Sequence, residues 1–229
     1  MNRMTRILLS GAVALACAMP VSANSGFYVG ALAGSSNVDV KRADWDAAAL
    51  DLFGTGGTLT SSSLDKSDTA FGAVVGYQFM KNFAIEASYL DLGNVKASAA
   101  GTILLGDGTL AATLHGDFKT DGPAVAVVGV LPFSQGWQAD ARVGIYYGDT
   151  KIKLSGEASG AGGSATLGPT SDSQSRSSFM GGLGVGYSFN DNFSLRLDYL
   201  YFDKVGIKKS DIEQTANINV IALGVRYTF

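Results

Sequence analysis

Three carboxylates and three guanidinium groups are the residues most capable of chemistry in this chain. Glu86, Asp140 and Asp198, with Arg142, Arg196 and Arg226, each occupy a position flanked on both sides by bulkier apolar or small residues that belong to the opposite face of an extended segment. Such groups, gathered in a narrow interior, can pair as charge-assisted hydrogen bonds or line a path for ions. Equal numbers of each sign favour pairing. We therefore expect a polar plug that satisfies buried charge and fixes strand register, in preference to an ion path or gate.

Other chemistry is poorly provided for. His115 is the only histidine, and its neighbours Leu114, Gly116 and Asp117 include no serine nucleophile, so a loop or rim position is expected and no enzyme activity. One histidine cannot form a histidine cluster for a metal, and Asp39, Asp44, Asp46 and Asp51 lack the spacing of a calcium loop. The run Gly181-Gly182-Leu183-Gly184-Val185-Gly186 lies in a strand with no helix after it, so it reads as space for the inward charges and not as a phosphate cradle. No cofactor is expected.

The elements that must position the six charges are strands. Thr69, Phe71, Ala73, Val75, Tyr77 and Phe79 alternate with Ala70, Gly72, Val74, Gly76 and Gln78, a period of two with one bulky and one small or polar face. After Met80-Lys81-Asn82 the pattern restarts at Phe83, Ile85, Ala87 and Tyr89, which is a tight hairpin. A similar hairpin recurs further on, since Gly182 to Val205 matches Gly72 to Val95 at Gly182, Val185, Gly186, Tyr187, Phe189, Asn192, Phe193, Tyr199, Leu200 and Val205. A third joins residues near 122–131 to 137–148, with Trp137, Ala139, Ala141, Val143, Ile145 and Tyr147 outward; the register of its first limb, apolar on both faces, stays open.

The chain ends on the same pattern. Ile221, Leu223, Val225, Tyr227 and the terminal Phe229 alternate with Ala222, Gly224, Arg226 and Thr228, as in the last strand of a barrel in lipid. Adding a first strand from Phe27 to Gly34 predicts an all-β, eight-stranded antiparallel up-and-down transmembrane β-barrel with short periplasmic turns and long extracellular loops. The long connections are expected at 38–66, 97–116, 150–176 and 204–214, polar and mobile. In the first of them Trp45, Ala49, Leu52 and Phe53 share a helical face with Asp44 as cap, read as a short amphipathic helix resting at the membrane rim, with a partner contact as the functional alternative.

Dimensions agree. Phe71 to Phe79 and Phe179 to Phe189, at about 3.3 Å per residue and a tilt near 40°, span roughly 20 to 25 Å along the membrane normal. Phe79, Phe83, Phe133, Trp137, Phe189, Phe193 and Phe229 should form the periplasmic aromatic girdle, and Phe71, Tyr89, Tyr147, Phe179 and Tyr199 the other. A soluble β-sandwich would not need an export signal, a terminal aromatic or a face so rich in glycine.

Such a signal is present. Arg3 and Arg6 precede an apolar stretch from Ile7 to Ala18, then Pro20 and Val21-Ser22-Ala23, so residues 1–23 read as a secretory signal peptide cleaved after Ala23 and residues 24–229 as the barrel. Cys17, the only cysteine, lies inside it, leaving no thiol for a disulfide; acylation at Cys17 is disfavoured because Ala14 stands where a lipoprotein signal usually has leucine. The formal charge of −3 becomes −5 without Arg3 and Arg6, which excludes a nucleic-acid partner, and the mature chain lacks the apolar run a membrane helix needs.

Tyr89-Leu90-Asp91-Leu92-Gly93, Gly129-Val130-Leu131-Pro132, Arg142-Val143-Gly144 and Ala222-Leu223-Gly224-Val225-Arg226-Tyr227-Thr228-Phe229 resemble the OmpA-like transmembrane-domain family of small outer-membrane barrels. The resemblance implies an integral protein of the bacterial outer membrane, in contact with its lipid and inserted by the barrel-assembly machinery, which reads the terminal strand. Many members continue into a periplasmic peptidoglycan-binding domain, whereas this sequence stops at Phe229, so cell-wall tethering is not carried over and OmpX-like or OmpW-like barrels are the nearer analogies. The expected function is a structural or surface-interaction barrel presenting four loops to an unknown extracellular partner. The alternatives are a small-solute or ion channel and, behind it, a lipid-modifying enzyme using His115.

Overall fold

The computed structural model describes residues 26–105, 108–160, 163–209 and 212–229. The signal peptide expected at 1–23 lies outside them. The described residues form nine strands and one helix: β1 (Phe27–Asp39), α1 (Arg42–Phe53), β2 (Thr58–Asp65), β3 (Ser67–Met80), β4 (Phe83–Leu105), β5 (Gly108–Ser134), β6 (Trp137–Gly160), β7 (Gly163–Ser188), β8 (Phe193–Lys209) and β9 (Ile212–Thr228). All pairings are antiparallel. β3 pairs with β1 and β4, β9 pairs with β8 and β1, and β4 with β5, so the sheet closes on itself.

The count of nine hides the expected eight. β2 pairs with β4 from Lys96 to Thr102 and β3 pairs with the same strand from Phe83 to Asp91, so β2 and β3 are one interrupted strand on one side of β4. The ring itself has eight members. Closure follows from the solvent, because a main-chain N–H or C=O in hydrocarbon has no water to bond and an open edge would leave a row of them unpaired.

Short links join β3 to β4, β5 to β6 and β7 to β8. Gly136 adopts φ +75° in the second, where a Cβ would meet the Ser188 carbonyl oxygen at 2.9 Å. In the third, the Asn190 side-chain oxygen accepts from the backbone N–H groups of Asn192 (3.0 Å) and Phe193 (2.7 Å), an Asx turn. Asn82 and Asn192 donate to the carbonyls of Val130 and Thr228, both at 2.8 Å, stitching turns to neighbouring strand ends.

The outer face is as the alternation predicts. Phe71, Phe79, Phe83, Phe133, Trp137, Tyr147, Phe179, Phe189, Phe193 and Tyr199 are exposed, as are Ile145, Leu183, Leu197 and Leu223 between them. Phe27 packs at a tilt on Tyr77 and Trp137 on Tyr187, and Tyr227 meets both Phe193 and Phe229 edge to face, with centroids 4.5 to 5.1 Å apart. The open register of β5 resolves with Ala124, Ala126, Val128 and Val130 inward and Val125, Val127 and Leu131 outward.

Three of the four expected polar loops are instead continuations of the sheet, and the first holds α1 and β2. β4 and β5 pair up to Leu105 and Gly108, β6 and β7 up to Gly160 and Gly163, and β8 and β9 up to Lys209 and Ile212. The reason is that period two persists with its polarity reversed. Val95, Ala97, Ala99, Leu110, Ala112 and Leu114 are buried, while Lys96, Thr113 and His115 face out. Serine and threonine here cover the wet side of a sheet and do not mark flexible chain. Bulges at Asp91/Asn94 and Phe202/Val205 keep apolar residues inward across the change, the first around Gly93 at φ +83°, where the Asp91 and Asp68 carboxylates accept from the Gly93 and Asn94 N–H groups.

The helix also departs from expectation. Lys41, not Asp44, is its N-cap, with no side-chain cap bond; Asp44 lies in the first turn, where a carboxylate suits the helix dipole. Trp45, Ala49 and Phe53 are buried against Ala97, Ala99, Leu110, Ala112, Leu114 and Ala158, and Trp45 Nε1 donates to the Ser98 carbonyl at 3.1 Å. Leu52 is 56% exposed. α1 therefore packs inside the mouth of the extended barrel and not on the membrane rim, because the inward apolar residues of β4 to β6 offer it a larger dry surface. Trp45→Ala should cost about 3 to 5 kcal/mol of local stability; trypsin should then cut faster after Lys41 and Arg42, while the heat-resistant gel migration of the folded barrel stays unchanged.

Candidate functional site

The hairpin repeat places the charged side chains. Gly76 pairs with Glu86 across β3 and β4, and Gly186 with Arg196 across β7 and β8, the same position in each copy; Gly184 pairs with Asp198 two residues further up. The glycines are required for room. A Cβ on Gly76 would lie 2.1 Å from the Tyr28 ring, and one on Gly184 would lie 2.5 Å from Asp198 Oδ1 and 2.8 Å from Asp140 Oδ2.

All six residues are buried, none more than 9% exposed, and their side chains meet in one layer. Arg142 is the hub. Its Nη2 donates to Asp140 Oδ1 (3.0 Å) and Asp198 Oδ1 (2.8 Å), and its Nη1 stands 3.5 Å from Glu86 Oε2. Arg196 Nη2 donates to the same two aspartate oxygens at 2.6 and 2.9 Å. Arg226 Nη2 donates to Glu86 Oε1 at 3.0 Å. With charge in balance, each carboxylate in this low-dielectric layer has at least one guanidinium partner, the condition for keeping it ionised away from water.

Tyr28 is a member that sequence reasoning missed. Its hydroxyl donates to Glu86 Oε1 at 2.8 Å and its ring lies under the Arg226 guanidinium, 4.0 Å from centroid to Cζ. The signal was available in the alternation Tyr28, Gly30, Leu32, Gly34, the inward face of β1 once its register with β9 is known.

A second missed feature lies above the charges. Leu32, Leu90, Tyr146, Leu200, Phe202 and Val220 form a buried apolar cluster, with Tyr146 and Phe202 packed edge to face at 5.1 Å. These too are inward positions of the same strands, and Leu90 and Leu200 are equivalent in the repeat, facing Gly72 and Gly182. Beside the charged side chains lies a cavity of about 20 Å³, bordered by Tyr28, Glu86, Arg142, Arg196, Asp198 and Arg226, which is room for a single water molecule.

The membrane boundary is marked by exposed pairs. Lys119 Nζ lies 2.7 Å from Asp91 Oδ2, Lys151 Nζ lies 3.4 Å from Asp121 Oδ1, and the Tyr89 hydroxyl donates to Asp121. His115 is exposed on the outer face of β5, beyond this level. Among the described residues no group of three or more metal-ligating side chains occurs. In the terminal strand Ile221, Leu223 and Val225 face outward, while Tyr227 and Phe229 are half-buried in the aromatic contacts; the strand closes the ring on β1, with Val225 opposite Ala31 and Tyr227 opposite Val29.

A closed ring of eight strands with an apolar exterior, aromatic ends and a charged interior defines a transmembrane β-barrel. The chain belongs to the OmpA-like transmembrane domain family, whose model matches residues 22–229, and it is therefore an integral protein of the bacterial outer membrane. No curated protein sequence matches it. Similar solved structures include Ail, the attachment invasion locus protein of Yersinia pestis (17% identity, 90% of this chain and 99% of that one, TM-score 0.44). Neisserial surface protein A (14%, 90% and 98%, 0.43) and the outer-membrane protease OmpT of Escherichia coli (9%, 91% and 99%, 0.43) are others.

Replacing Arg142 by alanine removes the group that touches all three carboxylates and should cost about 3 to 5 kcal/mol. Urea unfolding in lipid bilayers, followed by tryptophan fluorescence, measures it; an unchanged midpoint would mean that the pairing contributes nothing to stability.

Proposed function

We propose that this protein is a non-enzymatic structural or surface-interaction barrel whose lumen is closed to ions and solutes. The observation that carries this reading is the buried, mutually paired charged layer, with a cavity of about 20 Å³ beside it, beneath a layer of apolar side chains that disfavours water. Six charges that neutralise one another stabilise the barrel and offer no selectivity to a passing ion. The extracellular part, a sheet extension partly covered by α1, is the surface on which an outside partner would act. A channel is the competing reading. In planar bilayers the refolded barrel should give no reproducible conductance steps, whereas steps that disappear on substitution in the lumen would establish a channel.

Export through residues 1–23, contact with outer-membrane lipid and insertion by the assembly machinery complete the reading. The pattern Ile221, Leu223, Val225, Tyr227, Phe229 supplies the insertion signal. Deleting Phe229 should lower the amount of folded protein in the outer membrane severalfold, with unfolded chain accumulating in the periplasm; normal assembly of the truncated chain would remove this role.

A further inference from the structure

Above the apolar layer the barrel is not filled. A cavity of about 460 Å³ lies between that layer and α1, within the range of roughly 300 to 1,000 Å³ that small-molecule sites occupy. Its walls are apolar, with Val38, Leu92, Phe118, Ile152, Val205 and Ile218 drawn from six strands. Three of the polar groups on those walls are engaged: the Thr120 and Thr150 hydroxyls bond each other at 3.1 Å, and Lys119 is held by Asp91. Such a concavity gains free energy from an apolar occupant in proportion to the area withdrawn from water.

α1 supplies the mouth. Lys41, Asp44, Ala48 and Leu52, spaced by three to four residues, border the cavity on the helix face next to the one that buries Trp45, Ala49 and Phe53. All four are exposed, so the cavity meets water along this stripe. The Lys41 ammonium has no ion-pair partner among the described residues and stands at the positive end of the helix dipole. Both favour a negative charge at that end of the mouth. Asp44, one turn on, opposes a second negative charge.

We propose that this vestibule binds a single-chain, monoanionic amphiphile of the fatty-acid class, its acyl chain between α1 and the barrel wall and its carboxylate at Lys41. The site stands on the outer side of the closed layer, so it serves capture and not passage. Occupation by a neutral or a cationic amphiphile is what the test below discriminates against.

The two tryptophans separate the cavity from the bilayer. Trp45 borders the cavity, whereas Trp137 lies in the lipid-facing aromatic girdle, 44% exposed. In nanodiscs of outer-membrane phospholipid, the full-length mature barrel carrying Trp137→Phe should show saturable quenching of Trp45 by a dibrominated stearic acid. Ala48→Phe, at an exposed helix position that leaves the wall contacts intact, should raise the half-quenching concentration roughly tenfold. Lys41→Glu should do the same for the acid and leave its methyl ester unaffected. Gel migration of the unheated protein shows that the barrel of each variant is folded, and an unchanged rate of tryptic cleavage after Arg42 shows that α1 is still packed in its mouth. Quenching of Trp137 in a Trp45→Phe barrel without quenching of Trp45 in its counterpart would place the acid in the bilayer alone and overturn the proposal. So would quenching of Trp45 that ignores Ala48→Phe, an ester or brominated alkylamine that binds as tightly as the acid, or indifference of the acid to Lys41→Glu.

Discussion

The obligation to pair every main-chain polar group inside hydrocarbon governs the rest of this structure. It closes the sheet, and a closed sheet of eight strands leaves an interior only wide enough for side chains. Anything charged that points inward is then confined with whatever else points inward at the same height. Ionised groups in that space must find partners or lose their charge, and here Arg142 bridges three carboxylates while Tyr28 serves Glu86 and Arg226 together. Glycines opposite the charged residues are the other half of the arrangement, since the layer fits only where strands carry no side chain.

Much of this was legible from alternation. In the membrane-spanning part a bulky residue at every second position identifies the lipid side, and what remains, including all six charges, must point to the lumen. The signal failed wherever it depended on more than one strand. Tyr28 could be assigned to the charged layer only through the pairing of β1 with β9, and β5 is apolar on both faces because its inward Ala124, Ala126, Val128 and Val130 pack in the lumen. The outer segments were misread for a different reason. Their serine, threonine and glycine content suggests loop, yet the apolar residues between them keep the same period with the opposite sense, as a sheet must when its exterior passes from lipid to water.

That reversal divides the molecule into two regimes. Below the level of Lys119 and Lys151 the hydrophobic surface is outside and the polar groups are within; above it the hydrophobic surface is inside, where α1 covers part of it and leaves the remainder as a cavity. The bulges at Gly93 and near Lys204 sit at the junction and change which parity faces inward on β4 and β8, whereas β5 keeps its even-numbered residues inward through both regimes.

The repeated hairpin has a consequence for how the charged layer came to balance. Glu86 and Arg196 occupy one template position, each across from a glycine, in two copies held in the same narrow ring. Two identical copies would have set four charges of one sign against two of the other in that layer, and left buried charge without a partner. Similarity of backbone and difference of sign are therefore linked demands: the hairpin can be used twice in this barrel only because the copies are electrical opposites where they matter.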